Sequence, residues 1–164
     1  MTALHPVSSV DDFHQVLALN NACTPAVNRL DMQELRDFVR DAAYSVMVKA
    51  TEHVVGIILA LDEHNSYASE NYRWFCRSMS NFLYVDRVAI SARHQGQGLG
   101  RSLYAGLIDF ARQRGYSSIT AEVNLRPRNE GSLRFHHRLG FQQVAEFDNP
   151  SSGKLVSMLR LGLQ

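Results

Sequence analysis

The stretch Ser91–Arg101, which reads SARHQGQGLGR, lies between two regular patterns. Before it, the apolar run Phe82–Ile90 (FLYVDRVAI) is typical of a strand, and after it Ser102–Arg114 places apolar residues at helical spacing. Glycines at positions 96, 98 and 100 let backbone N–H groups approach a ligand without an intervening Cβ. The first N–H groups of a helix lack internal partners and lie at the positive end of its dipole. Together, these features predict a site for a phosphate or pyrophosphate.

Two nucleotide-binding motifs share this layout, and the spacing argues against both. A P-loop requires a lysine after the last glycine, where this chain has Arg101 followed by Ser102. A dinucleotide fingerprint reads G-x-G-x-x-G early in a repeated βαβ unit, whereas these glycines fall as G-x-G-x-G past the middle of the chain. A turn that binds nothing stays open as an alternative, although three glycines cost more conformational entropy than a plain turn requires.

The composition is that of an ordinary globular chain. Its 164 residues predict one domain, 1–164, with a sizeable core, and 45% of them are apolar and 20% charged. A net charge of +1 gives no electrostatic reason to expect nucleic acid or a membrane surface as a partner. We see no secretory signal and no apolar run of about 20 residues. We therefore expect a cytoplasmic protein without a metal site, whose cysteines, Cys23 and Cys76, are free thiols.

Hydrophobic periodicity divides the rest of the chain into short elements. In the N-terminal half it predicts a short strand within residues 1–7, two capped helices and a hairpin: Val10–Asn20 with Ser9 as cap, Asp31–Arg40, and Tyr44–Ala50 with His53–Leu61. The segment Glu63–Asn81 predicts a long irregular connection. The C-terminal half predicts a strand, a short helix ended by glycine and two closing strands: Ser118–Leu125, Asn129–Leu139, Phe141–Phe147 and Lys154–Leu161. This order favours an α/β fold with one mixed sheet.

Two linked motifs resemble those of the GNAT superfamily of N-acetyltransferases. The stretch Gln95–Gly100, QGQGLG, resembles the family's Q/R-x-x-G-x-G/A signature. About 30 residues further on, Asn129–Phe141, NEGSLRFHHRLGF, resembles its second segment, in which an asparagine, a small residue, an aromatic pair and a final Gly-Phe recur. The elements follow the family's order over Phe82–Phe147, whereas the N-terminal half matches only in its order of elements.

The resemblance implies a mostly antiparallel sheet of six or seven strands, splayed beside the fourth strand and flanked by about four helices. It also implies acetyl-CoA as co-substrate. The loop amides would hold the pyrophosphate, the splayed strand the pantetheine arm, and the next helix would add contacts: Gln95, Gly96, Gln97, Gly98, Leu99, Gly100 and Arg101; Val88, Ala89 and Ile90; Asn129 and Ser132. Backbone groups without a strand partner need another, and the amide-bearing arm supplies it.

In this family the amine attacks the thioester directly in a ternary complex, and a tyrosine on the helix after the fifth strand commonly protonates the departing thiolate. Here that position holds His136, seven residues after Asn129 and so on the same helix face. An imidazole can donate this proton, because its ordinary pKa is about 6.5. We predict His136 as the acid, and a surface position beside His137 is the alternative.

The attacking amine must first lose a proton, and two carboxylates on predicted strands are candidate bases. Asp86 interrupts the buried fourth strand, and Glu122 shares a face of the fifth strand with Asn124. Because adjacent strand residues point to opposite faces, we do not expect Asp86 simply to pair with Arg87, although a structural network around them is an alternative role. Deprotonation through water, without a dedicated base, also stays open.

The sequence determines the acceptor least. Aromatic residues gather in Glu63–Asn81, and Tyr67, Tyr72 and Trp74 are predicted to grip an apolar or cationic amine, unless they merely cover the sheet. In the family the first two helices commonly supply the other wall, where this chain offers Asn20, Asn21, Asn28 and Arg29. The expected partner is a small-molecule or peptide amine, and a homodimer through the C-terminal strands is common in the family. The alternative functions are a module that binds acyl-CoA with little catalysis, and transfer of a longer acyl group.

Overall fold

The computed structural model describes residues 2–164, which contain seven strands, five α-helices and one 3₁₀ turn. The strands are β1 (Leu4–Pro6), β2 (Tyr44–Ala50), β3 (His53–Asp62), β4 (Phe82–Ile90), β5 (Ser118–Arg126), β6 (Gln142–Asp148) and β7 (Leu155–Gly162). The helices are α1 (Val10–Ala22), α2 (Met32–Asp41), α3 (Glu70–Ser78), α4 (Leu99–Gln113) and α5 (Glu130–Arg138), and the turn is Ala92–His94. By its internal contacts the chain divides into a first unit, residues 2–61 and 85–110, and a second unit, residues 62–84 and 111–164.

The strands form one mixed, mostly antiparallel sheet, as predicted, and their order in it is β1-β2-β3-β4-β5-β7-β6. β1 pairs with β2, β2 with β3, and β7 with both β5 and β6, all antiparallel. β4 and β5 are parallel, and their pairing covers only Phe82–Tyr84 opposite Ser118–Thr120. The ladder between β4 and β5 therefore ends at Tyr84, and residues 85–90 of β4 lie beyond it.

The first unit is built as its N-terminal sequence predicts. α1 and α2 each begin with a capping box, formed by Ser9 with Asp12 and by Asp31 with Glu34. The apolar faces of both helices share one core with β2, β3 and β4: Val7, Val16, Leu19, Leu35, Met47, Val54, Ile57, Leu59 and Ala89. Because Ala89 belongs to this core, the end of β4 is fixed together with α1 and α2.

The second unit contains β7, which lies between β5 and β6. α5 begins after Asn129, whose Oδ1 accepts the Ser132 N–H at 3.2 Å. Gly140, with a φ of 99°, turns the chain out of this helix, as the sequence predicts. A cluster of aromatic rings with centroids 5.3–6.2 Å apart packs α3 against β4: Tyr72, Phe75, Phe82 and Tyr84.

The segment 63–81 contains a helix, which corrects the prediction of an irregular connection. α3 is capped by Ser69, whose Oγ accepts the Tyr72 N–H at 3.3 Å. Ser69 is not part of a capping box like those of α1 and α2, and the apolar residues of α3 are aromatic, a type with modest helix propensity, so the sequence gives only a weak helix signal here. The described chain therefore has five α-helices rather than about four.

α4 begins earlier than predicted, at Leu99 rather than after Arg101. The Ser102 N–H already donates to the Gly98 carbonyl at 3.0 Å, which is the first hydrogen bond of the helix. Gly100 therefore lies in the first helical turn and not in the loop. The glycine-rich part of the loop is shorter, and the helix N-terminus lies closer to it, than the sequence suggests.

Three further findings concern the described chain as a whole. No helix within residues 2–164 is long and apolar enough to cross a lipid bilayer. No group of three or more His, Cys, Asp or Glu side chains in that range is arranged to hold a metal ion. Cys23 and Cys76 are free thiols.

Candidate active site

The glycine loop between β4 and α4 presents backbone N–H groups to solvent. Gly96 and Gly98 have φ angles of 76° and 81°, a region in which a side chain is strained. A Cβ built on either glycine would meet no atom within 4 Å, so the space beside the loop is open. The N–H groups of Leu99, Gly100 and Arg101 precede the first intrahelical hydrogen bond and have no helical partner. The loop is therefore suited to bind a small anion at a helix N-terminus.

Charge in this region also favours an anion. The first turn of α4 contains no acidic residue, and Arg93 and Arg101 are exposed on either side of the glycines. The approach to the loop is held by backbone bonds, because the His94 N–H donates to Ser91 and the Ser91 N–H to Val55, each at 2.8 Å. A preorganised backbone with two guanidinium groups fits a pyrophosphate.

The two glutamines of the loop, Gln95 and Gln97, are exposed. Their side-chain amides donate back to backbone carbonyls of Ile90 and Arg93, at 3.5 and 3.4 Å respectively. Both bonds are long, so they brace the loop weakly and leave the side chains able to turn toward a ligand.

The end of β4 leads directly into this loop. Val88 and Ile90 are half-buried, while Ala89 belongs to the core. The Ile90 carbonyl is engaged by Gln95 and also lies 3.7 Å from Cys23 Sγ. The predicted pantetheine-binding segment is thus partly accessible and lies beyond the β5 ladder.

Asp86 and Arg87 form a direct buried ion pair, which corrects the expectation that strand alternation keeps them apart. Arg87 Nε donates to Asp86 Oδ2 at 2.7 Å, and the side chains of Arg87 and Asp86 are only 4% and 6% exposed. This part of β4 extends past the β5 ladder. The prediction was wrong because alternation fixes only the direction of each Cβ and does not limit the reach of a guanidinium.

Arg87 also connects β4 to α1 and α2. Its Nη1 donates to Asn20 Oδ1 at 3.0 Å and to the Asn28 carbonyl at 3.2 Å. The guanidinium carbon lies 5.5 Å from the centroid of the Phe38 ring, a cation–π distance. Asn20 is itself fully buried and donates to the Asn28 carbonyl at 3.0 Å. The guanidinium is therefore held in one orientation by contacts from three elements.

Glu122 is a half-buried carboxylate on β5. The Tyr84 hydroxyl donates to Glu122 Oε1 at 2.7 Å, a short, charge-assisted hydrogen bond. Tyr84 is buried, and its ring packs against Tyr72 and Phe75, so its hydroxyl has a fixed position. Sequence reasoning selected Glu122 but missed Tyr84, since a tyrosine inside an apolar strand gives no signal of a polar contact.

His136 is buried, which excludes the alternative of a surface histidine. Its ring meets Phe135 and Phe141 edge-on, with each centroid 5.3 Å away. Nδ1 lies 2.8 Å from the Ser132 carbonyl oxygen, and because a carbonyl can only accept, Nδ1 carries the proton. Burial lowers the pKa of the His136 imidazole below its ordinary value, and the bond to Ser132 offsets this in part.

This state of His136 affects the role predicted for it. A neutral imidazole with its proton on Nδ1 has a lone pair on Nε2 and accepts hydrogen bonds there. It can donate a proton from Nε2 only after taking up a second one, which burial opposes. The surroundings of His136 therefore favour a neutral, packing histidine over a proton donor.

The two polar residues at the start of α5 make structural bonds. Asn129 caps the helix, and the carbonyl and Oγ of Ser132 lie 2.8 and 3.3 Å from His136 Nδ1. These bonds fix the first turn of α5. The contacts of Asn129 and Ser132 with a cofactor stay predictions.

The three aromatic residues predicted to hold an acceptor differ in accessibility. Tyr72 is fully buried, and its hydroxyl donates to the Asp62 carbonyl at 2.6 Å and accepts the Asn65 N–H at 3.1 Å. Burial raises the pKa of the Tyr72 phenol. Tyr67 and Trp74 are half-buried. Tyr72 thus fills the core, and only Tyr67 and Trp74 leave surface that an amine can contact.

The predicted site residues fall in both units of the chain. The first unit contains the glycine loop, Val88–Ile90 and Asp86, and it brings Asp86 together with Arg87 and Asn20. The second unit contains the remaining predicted residues and brings Glu122 together with Tyr84: Glu122, Asn129, Ser132, His136, Tyr67, Tyr72 and Trp74.

Comparison with known proteins gives a family match and relatives from bacteria and rodents. Residues 13–141 match the acetyltransferase (GNAT) family. The L-methionine sulfoximine/L-methionine sulfone acetyltransferase of Salmonella typhimurium is 33% identical over 135 residues, 81% of this chain and 69% of the relative. The L-amino acid N-acyltransferase MnaT of Escherichia coli is 31% identical over 127 residues, 77% of this chain and 65% of the relative. The matched region thus spans about two thirds of the length of each of these two bacterial relatives.

Solved structures share the fold. The Salmonella typhimurium protein yncA, solved with its cofactor acetyl-CoA, superposes with a TM-score of 0.75 over 100% of this chain and 95% of its own. Sequence identity in that comparison is 21%, so the likeness shows the fold alone.

Proposed function

The chain belongs to the GNAT acetyltransferase family, and we propose that it transfers the acetyl group of acetyl-CoA to the α-amino group of a free amino acid or a close analogue. The relatives from Salmonella typhimurium and Escherichia coli are named for amino acids or amino-acid analogues as acceptors. The observation in this chain that carries the proposal is the glycine loop after β4, where the first N–H groups of α4 have no helical partner and two exposed arginines flank the glycines in sequence.

Acetyl-CoA supplies the acetyl group as a thioester. We assign its pyrophosphate to the amides of Gln95–Arg101 and its pantetheine arm to Val88–Ile90. The arm would extend along β4 like an added strand, because residues 85–90 lie beyond the β5 ladder. Asn129 and Ser132 are proposed as further contacts on the basis of the family's second motif.

Glu122 is the proposed base. A deprotonated amine attacks the thioester carbonyl carbon, so that a C–N bond forms, the C–S bond breaks and the thiolate leaves with the electron pair. The ammonium proton goes to Glu122, whose Oε1 is oriented by the Tyr84 hydroxyl at 2.7 Å. Asp86 is less suited to accept it, because its Oδ2 is engaged by the Arg87 guanidinium at 2.7 Å.

His136 is proposed to orient α5 rather than to protonate the thiolate. It donates its Nδ1 proton to Ser132, and burial lowers its pKa. A thiol has an ordinary pKa of about 8.5, so the departing thiolate can take its proton from water near neutral pH.

The function is tested by mixing the protein with acetyl-CoA and a panel of primary amines while free thiol is measured. The panel contains free amino acids, amino-acid amides, polyamines and peptides with a free N-terminus. We expect thiol release that depends on a free amino acid. Binding of acetyl-CoA without release for any amine would instead favour the acyl-CoA-binding module.

The base is tested with Glu122→Gln and a matched control. The amide keeps the size of the side chain but cannot accept the proton, so kcat/KM should fall about 100-fold. Glu146→Gln, at an exposed position on β6, should leave kcat/KM near the wild-type value. An unchanged pH–rate profile in Glu122→Gln would remove Glu122 as the base.

The cell compartment and the oligomeric state complete the proposal. We place the protein in the cytoplasm, because Cys23 and Cys76 are free thiols and suit a reducing compartment. The homodimer implied by the family resemblance stays a prediction, and sedimentation equilibrium measures it directly.

A further inference from the structure

We infer that Arg87 and Asp86 recognise the zwitterionic head group of the acceptor. Arg87 binds the α-carboxylate, and Asp86 accepts a hydrogen bond from the α-ammonium before its proton is lost. This inference rests on the proposed function and adds to it the residues that select an amino acid over other amines. It is carried by the atoms that the buried ion pair leaves unused.

The Arg87 guanidinium has more N–H donors than the chain uses. Nε donates to Asp86, and Nη1 donates to Asn20 and Asn28. Within residues 2–164 no hydrogen bond joins the protein to Arg87 Nη2, and none joins it to Asp86 Oδ1. Neither atom is among the fully buried side-chain atoms that lack a partner, so the small exposed part of these side chains includes both of them. A ligand or water can therefore reach them and complete their hydrogen bonds.

The pair is held ready for a ligand. Because both side chains are almost fully buried, a charged contact there is screened far less than at the surface. Asn20, Asn28 and Phe38 fix the guanidinium from the side of α1 and α2. A carboxylate that binds Nη2 therefore meets a preorganised group and pays little ordering entropy.

The charge of the pair favours a zwitterion over a simple anion. Asp86 already neutralises Arg87, so the pair offers a positive end at Nη2 and a negative end at Oδ1 rather than a net charge. An α-amino acid carries its carboxylate and its ammonium on one carbon, and these two groups match the two ends. A primary amine without a carboxylate would leave Nη2 unpaired and would bind more weakly.

The position of the pair along β4 suits the reaction. Asp86 precedes Val88 by two residues, which is about 7 Å along a strand. Val88–Ile90 is the segment assigned to the pantetheine arm, whose end carries the acetyl group. An ammonium held at Asp86 would therefore lie within reach of the thioester carbonyl carbon.

The test compares an acceptor with and without its carboxylate. The panel amine with the highest kcat/KM is assayed beside its α-carboxamide, starting with L-methionine sulfone and its amide. We expect the wild-type protein to prefer the acid at least about 100-fold. In the double variant Asp86→Asn/Arg87→Gln, which removes both charges and keeps amide hydrogen bonds, the preference should fall to about threefold or less while acetyl-CoA binds with unchanged Kd.

Asp12→Asn, at the other ion pair of this unit, is the matched control and should leave the preference for the acid unchanged. Asn20→Ala removes one support of Arg87 and should lower the preference in part, and Arg87→Lys should keep part of it. A double variant that slows both acceptors equally would mean that the pair is purely structural. A wild-type protein that does not distinguish acid from amide, or that prefers an amine lacking a carboxylate, would also overturn the inference.

These outcomes separate the inference from the proposed function. If no amine releases CoA, the proposed function fails and the head-group assignment fails with it. If CoA release depends on an amine but not on its carboxylate, only the assignment of Arg87 and Asp86 fails.

Discussion

Two ion pairs with a buried carboxylate lie in the first unit, Asp12–Lys49 and Asp86–Arg87, and they differ in how many hydrogen bonds the chain itself supplies to the carboxylate. Asp12 accepts the backbone N–H groups of Ser9 and Ser8, at 2.9 and 3.2 Å, and its other oxygen lies 2.9 Å from Lys49 Nζ. Asp86 has one such contact, at 2.7 Å to Arg87. The first pair is completed by its own chain, whereas the second leaves atoms for a ligand.

This difference suggests that the Asp12–Lys49 pair serves the stability of the fold and the Asp86–Arg87 pair serves recognition of a ligand. The Ser9 backbone N–H and the Lys49 ammonium hold the pKa of the Asp12 carboxyl well below its usual range, and the pair fastens the start of α1 to β2. A buried ion pair by itself adds little net stability, because desolvation offsets the attraction. Binding therefore explains a pair with unused atoms better than stability does.

The largest expected effect comes from removing Arg87 from its ion pair with Asp86. Arg87→Gln leaves Asp86 buried without its cation and should lower the free energy of unfolding by about 3–5 kcal/mol, measured by urea denaturation. The double variant Asp86→Asn/Arg87→Gln should recover most of that loss. A double variant as unstable as the single one would mean that the Asp86–Arg87 pair stabilises the fold. The proposed difference between this pair and the Asp12–Lys49 pair would then be wrong.

The Asp12–Lys49 pair should affect the stability of the fold and not the preference for an acid over an amide acceptor. Asp12→Asn removes the charge of a buried carboxylate whose partner Lys49 is partly exposed, so the free energy of unfolding should fall by about 2 kcal/mol. Asp11→Asn, at an exposed neighbouring position, is the control and should change it by less than about 0.5 kcal/mol. The preference for acid over amide should be unchanged in both variants, and a change in Asp12→Asn would remove the distinction between the pairs.

The effect of Asp12→Asn on the free energy of unfolding should depend on pH. Because the folded-state pKa of Asp12 is depressed, its contribution to stability is fully present above the unfolded value of about 3.9 and is lost as the pH falls from there through the folded-state pKa, which lies well below that value. The urea midpoints of wild type and Asp12→Asn should therefore keep a constant separation from pH 7 to about pH 4 and approach each other as the pH falls further, to about pH 2. Parallel curves would contradict the assignment.

A substitution in the glycine loop should affect stability less than the substitutions in the two ion pairs, and it should also affect ligand binding. Gly98 has a φ of 81°, so Gly98→Ala should cost about 1 kcal/mol and weaken acetyl-CoA binding by shifting the loop amides. Gly131→Ala is the control, because Gly131 lies in α5 with open space around it and without a positive φ. It should be neutral or slightly stabilising and leave the Kd of acetyl-CoA unchanged.

Substitution of His136 should have the smallest effect on stability. Unlike the two carboxylates, this buried polar group contacts a neutral partner, the Ser132 carbonyl. Because burial lowers its folded-state pKa, the unfolded chain takes up the proton first, and stability should decrease as the pH falls below about 6.5. His136→Gln should flatten this dependence, and His137→Gln, at an exposed position, should not. The kcat of His136→Gln should stay within about fivefold of wild type, and a loss of 100-fold or more with unchanged acetyl-CoA binding would restore the acid role.

The sequence predicts the parts of this protein that depend on local pattern. The capping boxes of α1 and α2, the strand β4 and the turn at Gly140 depend on a few neighbouring residues and are confirmed. α3 was missed because its cap, Ser69, is not part of a capping box and its apolar residues are aromatic. A short helix is therefore predictable from the sequence when its cap and its apolar spacing both point to it.

The bonds between distant or flexible side chains could not be predicted. The Asp86–Arg87 pair depends on the path of a long side chain, and the contact of Arg87 with Asn20 joins residues 67 positions apart. The Tyr84–Glu122 bond likewise requires the register of β4 and β5. Sequence periodicity carries no information about such contacts, and they are the ones that distinguish a structural carboxylate from one that can bind or react.

The central claim is direct acetyl transfer from acetyl-CoA to an amino acid, and intact-mass spectrometry tests it in one reaction. The protein is mixed with acetyl-CoA alone, and then with acetyl-CoA and the preferred amino acid. We predict an unchanged protein mass in both mixtures and an N-acetylated amino acid, about 42 Da heavier, only in the second, as direct attack without a covalent enzyme intermediate requires. An acetylated protein formed from acetyl-CoA alone that then delivers its acetyl group to the amine, or no acetylated amino acid, would contradict the account.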